Sequence, residues 1–219
     1  VADHPLSPGG TTLAILDACV LLPPRLSDVL FDLSLNGLFM PHWTESIEAE
    51  FLRNWKKVVK SGSHLSTQNL AQNRLNCFRN ATLNRYQIFG EQSEALLAKV
   101  PAEVDLNDRH VVSAALALRM ASEDSRDKIF IVTSNDVHMA KSKLMKMGIS
   151  VVRPGVFIDA LCSKAPLRVA RTLAKVVSDL KNPPYTKEEL LGALLVHGAR
   201  LTVKSMSARW KLQPAPESR

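Results

Sequence analysis

Cysteine is scarce in this sequence. Its three cysteines, Cys19, Cys77 and Cys162, lie far apart in 219 residues, which fits neither a disulfide framework nor a thiolate zinc site. Two of them sit in apolar surroundings and read as buried structural thiols. Long apolar runs are missing too: none approaches the ~18 residues of a membrane span. Hydrophobic residues nonetheless make up 46% of the chain and charged ones 22%, the balance of an ordinary globular protein. The opening VADHPLSPGG has no secretory leader. Together these features predict a protein of a reducing cytoplasm with no membrane attachment. Internal repeats and low-complexity tracts are absent as well.

A general excess of one charge is also lacking. The net charge is +7, from 28 Lys and Arg against 21 Asp and Glu. Residues 161–219 hold 11 of the basic and 4 of the acidic residues, leaving 17 of each in residues 1–160. The whole excess therefore falls at the C-terminal end. Such a basic face suits a phosphate backbone or an acidic protein surface, and equally serves as a solubilising surface.

What is present begins with TLAILDACVLL at 12–22. Leu13, Ala14, Ile15 and Leu16 are apolar on both strand faces, as in a central strand of a parallel sheet covered by helices. Asp17 stands where that strand gives way to a loop, and a carboxylate there needs a partner. Strands follow at 38–40, 129–133 and 149–153, separated by helices at 23–36, 44–60, 66–85, 92–99, from Asp105 onward, and at 137–147. In the helix after 105, Asp105 reads as the N-cap and Asp108 falls near the third helical position. A short helix at 156–162 comes next. The strand-helix alternation predicts an α/β fold with a doubly wound parallel sheet. Beyond Cys162 only helices are expected, at 167–180, 187–197 and 202–210, with a disordered QPAPESR end. The expected division is an extended or disordered 1–11, a core at 12–162 and a basic helical extension at 163–219.

In such a sheet ligands bind outside the carboxyl ends of the strands. Asp17, Asp136 and Asp108 fall at or near that edge. Asp108 shares a helical face with Val111, Val112 and Ala115, so it points inward; the plainer role for it is a first-turn acid favoured by the helix dipole. A fourth carboxylate comes from the 44–60 helix. At 100° per residue Glu45 points away from the apolar stripe, while Glu48 and Glu50 flank it on opposite sides, and geometry alone leaves both open. Glu50 has Asn54 one turn on, Lys57 two turns on, and Arg53 and Lys60 just behind. Those polar and basic neighbours favour Glu50.

Clustered carboxylates raise one another's pKa unless a cation sits among them. Oxygen-only donors suit Mg²⁺ or Mn²⁺ rather than zinc, and such an ion supports hydrolysis of a phosphodiester. Thr133, Ser134 and Asn135, beside Asp136, are placed to orient a water or a phosphate, or to cap a turn. His110 is placed to contact a phosphate but reads rather as a surface histidine, and His42 and His138 near the strand ends read the same way. Trp43 and Trp55 read as core, and Trp210 as the better platform for a nucleic-acid base.

The stretches ILDACVLL, PHWTESIEAEF, DLNDRHVVSAAL and IVTSND, in this order, resemble the PIN domain, in particular the VapC-type toxin ribonucleases of toxin–antitoxin pairs. The resemblance runs from about residue 12 to 159. It implies that Asp17, Glu50, Asp108 and Asp136 form an acidic metal-binding quartet with Ser134 as a polar helper. It also implies RNA cleavage with Mg²⁺ or Mn²⁺, a homodimer, and inhibition by a small DNA-binding antitoxin. Arg53, Lys57, Lys60 and the basic tail would then steer the RNA. Two features depart from the family pattern: the segment between Glu50 and Asp108 is longer and more helical, and the tail after Cys162 lies outside the common domain. The alternative reading is a non-catalytic RNA- or protein-binding module on an α/β scaffold. A phosphotransfer domain of the haloacid-dehalogenase type is disfavoured because Cys19 stands where its second Asp belongs. No strand-end Lys supports a receiver.

Overall fold

The computed structural model describes residues 10–58, 64–180 and 184–212. The expectations for residues 1–9, Lys60 and 213–219 lie outside them. In chain order the elements are β1 (Thr12–Leu16), α1 (Ala18–Leu21), α2 (Pro24–Leu35), β2 (Met40–His42), α3 (Glu45–Val58), α4 (His64–Ala81), α5 (Glu94–Leu97) and α6 (Arg109–Ala121). They continue with β3 (Lys128–Val132), α7 (Lys141–Lys146), β4 (Ile149–Val152), α8 (Pro154–Lys164), α9 (Pro166–Asp179), α10 (Lys187–Val196) and α11 (Arg200–Trp210). The chain divides into two compact units, one from Val1–Leu22 and Phe39–Val152, the other from Pro23–Leu38 and Arg153–Arg219. The division falls after Val152, so α8 and α2 both belong with the C-terminal helices.

The first unit holds all four strands in one parallel sheet, ordered β2-β1-β3-β4. With its helices and the helical C-terminal region, the fold is α/β, as the alternating pattern predicts, and PIN-like, as the resemblance implies. Every residue of β1 is buried, which explains why its side chains are apolar on both faces. Helix α6 packs against β1, β3 and β4 through a face that includes Val111, Val112, Ala115 and Leu118, all buried. The chain runs from β1 outward to β2, then crosses back to β3 and on to β4. The loops leaving β1 and β3 therefore part in opposite directions, opening a crevice at their carboxyl ends.

Four local expectations change, each for a physical reason. The loop expected after Asp17 is instead the short helix α1, which begins with backbone bonds from Val20 and Leu21 to the Asp17 carbonyl. The second strand lies at Met40–His42 rather than 38–40 because Leu38 is spent closing α2: its N–H donates to the Leu33 carbonyl at 3.1 Å, and Gly37 adopts φ +67°. The helix expected over 137–147 is only Lys141–Lys146, since Ala140 is left-handed at φ +46° and the His138 carbonyl accepts from Asp105 N at 3.3 Å. Asp105 is not the N-cap of α6. Its Oδ1 accepts from Asn107 N at 2.9 Å in a local turn, and Asp108 is the N-cap, whose carbonyl accepts from Val111 and Val112.

In the second unit α2 packs with α9 and α10, and α8 packs with α9 and α11. Asp159 on α8 secures α11 by accepting from Leu201 N at 3.1 Å and from Thr202 N and Oγ1 at 2.7 Å each. Thr186 and Glu189 form a reciprocal capping box at the start of α10. The tightest approach is at Gly155, whose N–H donates to the His197 carbonyl at 3.0 Å. A Cβ there would stand 2.3 Å from the Gly198 carbon and 2.4 Å from Ala199 N, both backbone atoms. Gly155→Ala is therefore expected to cost about 3 kcal/mol by overpacking. Urea denaturation of the variant checks this, and an unchanged midpoint would contradict the close approach.

Candidate functional site

The site grows from the pairing of β1 with β3. Leu16 lies opposite Val132, so Asp17 and Thr133 leave the sheet side by side at the crevice. Asp17 N donates to the Val132 carbonyl at 3.2 Å. At φ −68° and ψ 153° Asp17 is the N-cap of α1, yet its side chain makes no cap bond. Its Oδ2 instead accepts from Thr133 Oγ1 at 2.6 Å and from Cys19 Sγ at 3.0 Å. Asp17 is only 4% exposed and Thr133 is wholly buried. These donors offset the cost of burying the carboxylate.

The network continues to a second carboxylate. Thr133 Oγ1 accepts from Asn135 N at 3.0 Å, and Asn135 Nδ2 donates to Asp108 Oδ2 at 2.9 Å. Ser134 presents its backbone N–H to Cys19 Sγ at 3.2 Å, and its side chain is exposed. Thr133 and Asn135 thus do more than cap a turn: they tie Asp17 to Asp108 across the crevice.

The two candidate glutamates of α3 have different surroundings. Glu48 is buried as a structural acceptor: Trp43 Nε1 reaches its Oε1 at 3.0 Å, Arg79 Nε reaches the same oxygen at 2.9 Å, and a second Arg79 nitrogen pairs with Oε2. Glu50 is half-buried, with His110 Nε2 3.6 Å from its Oε2. Burial pushes the Glu50 carboxyl upward and Asp17 adds to this, while Arg53 and Lys57 pull it back. Asp108 is pushed from its ordinary 3.8 up to about 6, first by burial and then by Asp17, Asp105 and Glu50, with His110 opposing. Asp17, Glu50 and Asp108, from three separate elements, therefore share one electrostatic environment.

Asp136, next to Asn135 in the chain, is buried and carries its own counter-charge, the Lys141 ammonium. Arg53 and Lys57 are exposed and Asn54 is half-buried on the same helix as Glu50. Three contributors escaped the sequence reading. Cys19 is a donor to Asp17 as well as a packed thiol, and burial followed by the Asp17 charge pushes it up to about 12, so it remains protonated. His110 stands against Glu50 rather than on the surface. Lys141 meets Asp136. The signal available for the first two was their spacing, each two residues after a site aspartate. His42 is buried with Nδ1 3.2 Å from the Tyr86 carbonyl, and Trp43 stacks on Tyr86 at 4.0 Å. The Trp210 ring is covered by the Lys187 ammonium at 5.5 Å.

Among the described residues no three His, Cys, Asp or Glu side chains form a ready-made cage for an ion. The donor chemistry nevertheless fits a hard divalent cation. Asp17, Glu50 and Asp108 offer oxygen only, their charges add to the burial that raises Asp108, and Mg²⁺ is typically held by one or two carboxylates plus water and phosphate rather than by an all-protein cage. No helix among the described residues is long and apolar enough to cross a membrane.

The raised Asp108 has a defined effect on stability. The folded chain holds this proton more tightly than the unfolded chain, so the contribution of Asp108 to stability is fully present below pH ~4 and is lost as pH rises through about 6. Asp108→Asn keeps an acceptor for Asn135 and removes the charge. With the shift discounted for partial exposure, the gain at pH 7 is on the order of 1 kcal/mol, read as a melting point about 2–4 °C higher. A variant that melts at or below the parent would contradict the crowding of these acids.

Residues 154–208, within the second unit, match the family model described as the VapC50 C-terminal domain. No curated protein and no solved structure gives a match to the chain. The family match points to a VapC-type toxin family.

Proposed function

We propose that the protein is a divalent-metal-dependent endoribonuclease, the toxin of a type II toxin–antitoxin pair. The observation that carries this reading is the meeting of Asp17, Glu50 and Asp108 at the crevice, where burial and then the neighbouring acids raise Asp108 to about 6. The match of residues 154–208 to a VapC C-terminal domain supports the toxin assignment and, with it, an antitoxin partner. The homodimer belongs to the same proposal and rests on the family resemblance, while the proposed cytoplasmic setting rests on the three scattered cysteines.

In this reading Asp17, Glu50 and Asp108 hold Mg²⁺ or Mn²⁺, with Asp136 at the edge of the set. The bound ion supplies charge stabilisation for the phosphodiester and a water of lowered pKa. The chain supplies the rest. Thr133 and Cys19 fix the Asp17 carboxylate through Oδ2, and Asn135 does the same for Asp108. Preorganised acceptors of this kind need no rearrangement during reaction. Arg53 and Lys57 lie beside Glu50 and Lys141 beside Asp136, so cations stand on two flanks of the acidic crevice to draw in a phosphate backbone. Lys60 belongs to the same proposed basic group. The exposed Ser134 and half-buried Asn54 are proposed contacts to the substrate.

The test is cleavage of defined RNAs by the purified chain with Mn²⁺ or with EDTA. Mn²⁺ should give products with 5′-phosphate and 3′-hydroxyl ends, and EDTA should stop the reaction. Asp17→Asn should lower the rate at least about 100-fold without unfolding the protein. Cleavage at the parent rate by that variant, or 2′,3′-cyclic phosphate ends, would overturn the assignment.

A further inference from the structure

His110 has no part in the scheme above, yet it is the second residue of α6 and sits directly against the acidic site. Its side chain is 18% exposed, and Nε2 lies 3.6 Å from Glu50 Oε2. Nε2 is buried and has no hydrogen-bond partner among the described residues. Buried polar atoms nearly always have a partner, and one left without calls for a physical explanation. The ring is also within electrostatic reach of Asp108. Glu50 is the only acidic group paired with this imidazole among the described residues, and the gap exceeds a good hydrogen bond by a few tenths of an ångström.

We propose that His110 is a positioning residue of the acidic site, donating from Nε2 to Oε2 of Glu50 and so holding that carboxylate toward Asp17 and Asp108 when a divalent cation is bound. The inference rests on the reading that these acids take a cation. Glu50 comes from a different helix from Asp108 and has a long, rotatable side chain. Among the described residues, Asp17 and Asp108 each have a neutral hydrogen-bond donor already in place, whereas Glu50 has His110 standing just out of range. Partners of this type, one shell out from an ion, typically change its affinity 10–100-fold.

Because Nε2 makes no hydrogen bond among the described residues, its removal should cost the fold little. The measurement is the melting temperature of the full chain titrated with Mn²⁺ alone, for the parent, His110→Leu and His110→Gln. His110→Leu should melt like the parent without metal, yet require about tenfold more Mn²⁺ for the same upward shift. His110→Gln, whose amide can donate to Glu50, should recover most of that loss. If His110→Leu responds to Mn²⁺ as the parent does, or if its metal-free melt drops instead, the positioning role is overturned while the cation site stands. A parent that shows no response to Mn²⁺ overturns the cation site and the role of His110 together.

Discussion

Register between two central strands is the constraint on which the acidic site depends. β1 and β3 run parallel with Thr12 opposite Lys128 and Leu16 opposite Val132, so Asp17 and Thr133 emerge level with each other. The 2.6 Å bond between them and the Cys19 thiol follow from that alignment. A slip of one residue would turn Asp17 to the other face of the sheet. The register is secured at both ends of the pair by backbone bonds, from Lys128 N to the Thr11 carbonyl at 2.9 Å and from Asp17 N to the Val132 carbonyl at 3.2 Å. Strand pairing thus sets the position of a charged group.

Electrostatics then divides the nearby acids into two kinds. Glu48 is neutralised within the fold by Arg79 and the Trp43 indole, and its position is a matter of stability. Glu50, two residues further along the same helix, has no such strong cation and shares its environment with Asp17. The same contrast separates Asp136, paired with Lys141, from Asp108, whose strongest neighbouring charges are acids. A chain that leaves like charges together in a partly buried crevice forgoes stability there. That cost is what a cation, when bound, would relieve. Asp17, Glu50 and Asp108 all belong to the first unit, and the second unit has its own helical core. It is a helical assembly secured by Asp159 at the head of α11 and by the close approach at Gly155.

Much of this was legible in the linear chain. The strands at 12–16, 128–132 and 149–152 are short apolar runs bounded by turns, and the α/β class follows from their alternation with amphipathic helices. Asp17 and Asp136 were recognisable because they interrupt or follow such runs at the carboxyl end. The second strand was misplaced because Gly37 and Leu38 close α2 through backbone bonds that no hydrophobic pattern reports. The roles of Asp105 and Asp108 were displaced by three residues for a similar reason: both are acids just before a helix, and only the turn at Asn107 separates them.

By itself, the sequence determined which segments become strands and helices, and that several carboxylates would fall at strand and helix ends, because burial and turn formation act over a few neighbouring residues. Tertiary structure alone decided what each carboxylate meets. Arg79, which occupies Glu48, is 31 residues away from it, and Thr133, which holds Asp17, is 116 residues away. Helical periodicity placed Glu48 and Glu50 symmetrically about one apolar stripe. What separates them is the packing of α4 against α3 on one side and the crevice of the sheet on the other. Charges separated so far along the chain act on one another only after folding has brought them within a few ångströms.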